Sequence, residues 1–261
     1  MRNRDSRVNY ASMTRLILLA LLLPIPRFQE APVVIAKDAT QPCLAADGDG
    51  AFYCAFIRNG NIEVASSADG GKTWSAPVVA IDAKGKARGG MQRGPRIGVD
   101  DRKNVTVTAP LCFDEKELEA RYPRAELWIA RSADGGKTFG PPVQINEKKG
   151  TAPESLHAMA VAPSGEAHVA WLDIRGRTKG QDLYYAKIVD GKPGRNVKIG
   201  ATLCECCAPG LALDGAGNPV IAWRDGASSD NRPIWISISK DGGKSFSAPA
   251  RVNQVETRVA G

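Results

Sequence analysis

The chain has two histidines and few aromatics, 6% of its 261 residues. His157 and His168 are too few and too scattered for a histidine-built metal centre. Runs of one charge are also scarce. The net charge is +7, but residues 1–30 hold Arg2, Arg4, Arg7, Arg15 and Arg27 against Asp5 and Glu30, so +3 belongs to that stretch and a mild +4 to the rest. Beyond it stand only solvated pairs such as Lys148-Lys149, with no basic cluster interleaved with aromatics, which argues against a nucleic-acid partner. Long apolar runs are missing too. The run Leu16 to Leu23 is too short to span a bilayer as a helix, but between Arg15 and Pro24 it suits the apolar part of an export signal. Residues 1–30 are therefore expected to be a leader, with an uncut lipid-facing anchor as the alternative. The domain, residues 31–261, is expected to be secreted or periplasmic, with no stable membrane span once the leader is removed. Hydrophobic residues at 43% and charged residues at 24% exclude wholesale disorder and a polytopic membrane protein.

No long helical periodicity follows residue 30; what is there is a repeat. Ser67-Ala68-Asp69-Gly70-Gly71-Lys72-Thr73-Trp74 recurs as Ser132-Ala133-Asp134-Gly135-Gly136-Lys137-Thr138-Phe139 and as Ser239-Lys240-Asp241-Gly242-Gly243-Lys244-Ser245-Phe246. A worn copy, Val189-Asp190-Gly191-Lys192, fills the long gap. Asp69 to Asp241 is 172 residues over three intervals, a mean period of about 57. A second repeat is locked to the first: Met159 to Trp171 matches Leu211 to Trp223 at a spacing of 52, with further copies from Ile97 and from Leu44. Each unit reads strand, Gly turn, strand, polar loop, strand, Asp-Gly-Gly turn, strand. Four antiparallel strands per period is a propeller blade, so the expected fold is all-β, with about four blades.

The three octapeptides resemble Asp-boxes, also called BNR repeats, of sialidase-like β-propellers. The stretch Cys204-Glu205-Cys206-Cys207 leading to Trp223-Arg224-Asp225, and Trp171-Leu172-Asp173-Ile174-Arg175 before it, are similar to secreted bacterial exo-α-sialidase-like proteins. The resemblance covers about residues 33–255. It implies a six-bladed type of propeller, of which this chain holds an incomplete arc truncated at its C-terminus. It also implies that Asp69, Asp134 and Asp241 are turn staples on the face opposite the active site.

Strand order then assigns faces. First-strand starts bring Arg93, Arg96, Glu154 and His157 to the mouth. Second-strand ends bring Arg58, Asp173, Arg175, Arg224 and Asp225, and Arg232 opens a third strand. Converging guanidinium groups suit a carboxylate. Sialidases clamp their substrate carboxylate with three arginines and add an Asp acid/base and a Tyr nucleophile backed by a Glu. The resemblance offers Arg96, Arg175 and Arg224 as clamps, Arg232 as a further contact, and Asp173 and Glu154 as catalytic carboxylates. A strand-end salt bridge with Arg175 is the more economical role for Asp173. Tyr184 and Tyr185 lie mid-strand, so no nucleophile is assigned.

Six cysteines fit an oxidising compartment. Cys43 and Cys54 flank the Asp47–Gly50 turn and are expected to face each other. Cys112, Cys204, Cys206 and Cys207 are further disulfide candidates. The Cys-x-Cys-Cys spacing lacks the paired loops of structural zinc, so a disulfide is favoured over a metal, and neither metal nor cofactor is expected. Two functions stand: a sialidase-like glycoside hydrolase acting on terminal acidic sugars, and a non-catalytic propeller that binds glycan or protein.

Overall fold

The structure, a computed structural model, describes residues 32–90, 93–113, 124–153, 155–176, 180–226 and 232–253. The leader and Glu154 lie outside the described residues. Residues up to Val33 form one unit and Val34–Gly261 the other, and it is the second that is described below.

That unit is four antiparallel sheets in chain order, with no helix among the described residues. Blade 1 is β1 (Ala39–Ala46), β2 (Phe52–Arg58), β3 (Asn61–Ser67) and β4 (Val78–Ile81); blade 2 is β5 (Arg96–Val99), β6 (Val105–Leu111), β7 (Glu126–Ser132) and β8 (Val143–Gln144). Blade 3 is β9 (His157–Val161), β10 (Ala167–Asp173), β11 (Gln181–Val189), β12 (Lys192–Pro193) and β13 (Val197–Leu203); blade 4 is β14 (Gly210–Leu213), β15 (Pro219–Arg224), β16 (Ile234–Ile238) and β17 (Ala250–Arg251). Blades 1, 2 and 4 are four-stranded meanders.

Period-two alternation builds the joints between blades. On β10, Ala167, Val169 and Trp171 join Leu127 and Ile129 of blade 2 in one core, while Ala170 and Leu172 join Ile221 and Trp223 of blade 4 in the next. On β2, Tyr53, Ala55 and Ile57 meet Val105, Val107 and Ala109 of blade 2, while Cys54 and Phe56 turn to Ile35, Ala36 and Trp74. The middle strands β6 and β10 are buried at every residue. The end blades are not: Leu44 on β1 is 65% exposed and Ile238 on β16 is 38% exposed. The described blades form an open arc, as expected.

Each of the three Ser-x-Asp-Gly-Gly turns closes in the same way. Ser67 Oγ donates to Asp69 Oδ1 (2.8 Å) and accepts from the Gly71 amide (2.9 Å), while Thr73 gives its amide to Oδ1 (2.9 Å) and its hydroxyl to Oδ2 (2.6 Å). Asp134 and Asp241 repeat the pattern with Thr138 and Ser245. These bonds, the Thr73 hydroxyl foremost, hold the Asp69 carboxyl down at about 2. Blade 3 departs from the expected pattern. Asp190 and Gly191 both adopt positive φ (49° and 75°), a tight hairpin turn into β12, and β13 supplies the sheet's outer strand.

A second Asp staple sits in the first turn of three blades; on blade 1, Asp47 Oδ1 accepts the amides of Asp49 and Ala51 (both 2.9 Å). Asp100 Oδ1 accepts the amides of Arg102 (2.9 Å) and Asn104 (2.8 Å), and Asp214 does the same for Ala216 and Asn218. Both sets of turns lie at one end of the blades. The Gly242 amide of an Asp-Gly-Gly turn donates to Asn218 Oδ1 (3.0 Å), and Arg131 bridges Asp100 and Asp190, each at 3.2 Å. The opposite end is the mouth.

The cysteine pairing on blade 1 needs correction. The strands register as Cys43 with Ala55 and Leu44 with Cys54. The turn centres on Asp49, one half-step from the expected centre, so the two cysteines point to opposite faces of the sheet. All six cysteines are thiols in the structure.

Candidate functional site

At the mouth, the end of β10 is a closed polar knot. Asp173 is 0% exposed. Its carboxylate accepts from Thr151 Oγ1 (2.9 Å), Trp171 Nε1 (2.9 Å), the Arg175 amide (2.8 Å), Arg175 Nε (3.0 Å) and Arg175 Nη2 (2.7 Å). Arg175 is equally engaged. Its side chain is 8% exposed, Nη2 also donates to Asn196 Oδ1 (2.8 Å), Nη1 reaches Glu147 Oε2 (3.4 Å), and the guanidinium lies 4.2 Å from the centroid of Tyr184. A carboxylate with five donors cannot serve as a proton donor without breaking the knot. Four of the five guanidinium N–H donors are engaged, which leaves one on Nη1 and no bidentate fork for a ligand carboxylate. The expected acid and one of the three expected clamps are thus each other's partner. Thr151, Asn196 and Glu147 carry no repeat signal, which is why sequence reasoning missed them.

Arg96 opens β5, with Nη1 on its neighbour's carbonyl, Pro95 O (3.1 Å). It stands near His157, which is 1% exposed. The His157 Nδ1–H donates to Ser155 O (3.3 Å), so Nε2 accepts from Thr108 Oγ1 (3.0 Å), and the ring is neutral. Burial, and then the charge of Arg96, lowers its pKa to about 3.

Arg224 and Arg232 converge with the three cysteines. Cys204 follows β13, and its amide donates to Arg224 O (3.0 Å), which pins the cysteine turn to the end of β15. Leu203 also bridges Asp225, whose carboxylate accepts Trp235 Nε1 (3.1 Å). Cys204 Sγ lies 2.7 Å from Cys207 Sγ and 3.5 Å from Cys206 Sγ. Arg224 Nη1 lies 3.6 Å from Cys207 Sγ, and Arg232 Nη1 3.7 Å from Cys204 Sγ. Arg224 Nη2 and Arg232 Nε are buried donors with no acceptor among the described residues. This is the cationic, underused corner of the mouth. Arg58, also expected there, is spent on Glu63 (Nη2 to Oε2 2.6 Å).

Three of the chain's tyrosines are described. Tyr184 is capped by Arg175, the Tyr185 hydroxyl is hydrogen-bonded with His168 Nδ1 (2.7 Å), and Tyr53 sits beside Asp47 in a first-strand turn. None stands at the mouth with a carboxylate behind it.

No family model and no curated protein matches this sequence. Solved structures do match its shape. The Hadza microbial sialidase superposes with a TM-score of 0.52 at 18% identity, over 82% of this chain and 47% of that one. The α-L-arabinanase of Penicillium chrysogenum, complexed with arabinobiose, gives 0.56 at 15%, over 86% and 69%. The intramolecular trans-sialidase from Ruminococcus gnavus gives 0.52 at 12%, over 87% and 74%. The chain has the sialidase-like propeller fold. It spans about half the length of the Hadza sialidase. Within this propeller the three Ser-x-Asp-Gly-Gly turns lie at the end away from Arg175 and Arg224, and the mouth is where its polar groups gather.

Proposed function

We propose that the chain is a glycan-binding propeller that takes an anionic sugar or glycoconjugate at the corner held by Arg224 and Arg232, outside the cytoplasm, and does not cleave it by a sialidase mechanism. One observation carries the reading: Asp173 and Arg175, the acid and clamp a sialidase would need free, are held by one another in a buried two-pronged pair. Arg224 and Arg232 each keep a buried donor with no acceptor, and an anionic ligand would satisfy both. Titration of the purified chain against sialylated and desialylated forms of one glycoprotein tests it. Binding of the acidic form without release of sugar is expected. Equal affinity for both forms would overturn the anionic specificity.

A second reading, hydrolysis of a terminal acidic sugar, is favoured by the likeness to two sialidases. It places Arg96, Arg224 and Arg232 on the substrate, with Glu154 in support. Turnover of a fluorogenic sialoside that survives Asp173→Asn would establish it.

A further inference from the structure

Cys204, Glu205, Cys206 and Cys207 form a turn closed by the Cys207 amide on Cys204 O (3.3 Å). The turn brings its first and fourth residues together, within the Cα separation that a disulfide spans. Two readings of three clustered thiols compete. Thiolates that share one zinc at about 2.3 Å each stand nearly 4 Å apart in a tetrahedral shell. Cys204 and Cys207 Sγ are at 2.7 Å, well inside that. Two guanidinium groups at 3.6 and 3.7 Å from these sulfurs also repel a cation and stabilise a thiolate. The thiols are also unequal. Cys204 is buried, Cys207 is half-buried and Cys206 is exposed. Burial pushes Cys204 up, but the Cys207 thiol, the Cys206 amide and thiol and the Arg224 charge outweigh it, and the net direction is down. Burial, and then the Cys204 sulfur, pushes Cys207 up.

We propose that Cys204 and Cys207 are a redox-active dithiol at the propeller mouth, oxidised reversibly to an intramolecular disulfide by exchange with an external disulfide. Cys204, ionised beside Arg224 with its own proton released to solvent, takes the proton of Cys207, the member of the pair that solvent reaches, across the 2.7 Å contact. Cys207 attacks one sulfur of R–S–S–R′. The R′ thiolate leaves and a mixed Cys207–S–S–R bond forms. Cys204 then loses its proton, attacks the Cys207 sulfur and expels the R thiolate. The two thiol protons end on the two leaving thiolates, two electrons pass to the external disulfide, and one S–S bond is exchanged for another. Cys206 takes no part. The first sequence signal was the Cys-x-x-Cys spacing of residues 204 and 207, masked by the third cysteine between them.

The test is peptide mapping of the intact wild-type chain after equilibration in glutathione buffers, with free thiols alkylated before reduction and released thiols labelled afterwards. Cys204 and Cys207 should convert together, while Cys206 alkylates in every buffer. The ratio of disulfide to dithiol should rise about tenfold for each tenfold rise in oxidised over squared reduced glutathione, the slope of a two-electron exchange. Cys204→Ser should stop at a glutathione adduct on Cys207, and Cys206→Ser should titrate like wild type. A linkage to Cys206 or Cys112, a pair that stays reduced in every buffer, or stoichiometric zinc that protects all three thiols would each overturn the proposal. The wild-type mapping stands whether or not the variants fold.

Discussion

Arg175 grips Asp173 with two prongs, Nε at 3.0 Å and Nη2 at 2.7 Å, two residues apart at the end of a strand that is buried throughout. Removing one partner strands the other's charge in the interior. Asp173→Ala should therefore cost about 3–5 kcal/mol of folding stability. Arg175→Lys keeps the charge but loses the fork and the stacking on Tyr184, and should cost a large part of that. Urea unfolding measures both. If Asp173 were a catalytic acid, Asp173→Asn would instead fold with wild-type stability and lose turnover alone.

The arginine corner gives the binding counterpart. Arg224→Lys and Arg232→Lys should each weaken capture of an acidic glycan about tenfold or more, the loss of one charge-assisted hydrogen bond. Calorimetric titration reads the affinity. Loss at Arg175→Lys with none at Arg224→Lys would move the site to the β10 end.

Stability should fall in mild acid. His157 is neutral when folded, its pKa lowered to about 3 from 6.5, and His168 is lowered to about 4. The unfolded chain binds protons first, so stability is full above about 6.5 and declines as pH drops towards 3. Thermal melts from pH 7.5 to 4 should show the decline, and His157→Gln should flatten it.

The glycines of the Asp-Gly-Gly turns are not equivalent. Gly70 has φ +72° and open space around a would-be Cβ, so Gly70→Ala should cost about 1–2 kcal/mol, the left-handed penalty alone. At Gly243 (φ +91°) a Cβ would come within 2.0 Å of the Tyr185 hydroxyl, which also holds His168. Gly243→Ala should therefore destabilise more than Gly70→Ala in the same melt.

Cys43 and Cys54 should remain thiols under non-reducing peptide mapping, since they occupy opposite faces of blade 1. Burial pushes the Cys54 thiol to about 11, so its alkylation should be slow until the chain unfolds.

The fold was legible because it is written in repeats. Asp-Gly-Gly turns and period-two strands are local signals, and three copies of the turn with four of the strand pair, in register, leave few alternatives. The register around Asp49 was not legible, because shifting the turn centre by half a residue leaves the pattern unchanged yet reverses which cysteine faces which core. The Asp173–Arg175 pairing was readable from their spacing. Its closure by Thr151, Glu147 and Asn196 was not, because those residues arrive from loops and their positions depend on packing between blades. At the mouth, strand order placed Arg224 and Arg232 at the right end but could not say that they turn to sulfur.

The cores lie between blades, so the arc behaves as a one-dimensional chain of couplings in which each blade is held by its neighbours alone. Such a chain frays from its ends. Ile35, Ala36 and Trp74 cover Cys54 and Phe56 on the outward face of blade 1, but Leu44 on that face, like Ile238 on blade 4, is exposed. Unravelling therefore starts from either outer blade and reaches Trp171 late. The cysteine turn is tied to β15, so it belongs to an outer blade and loosens before the central joint does.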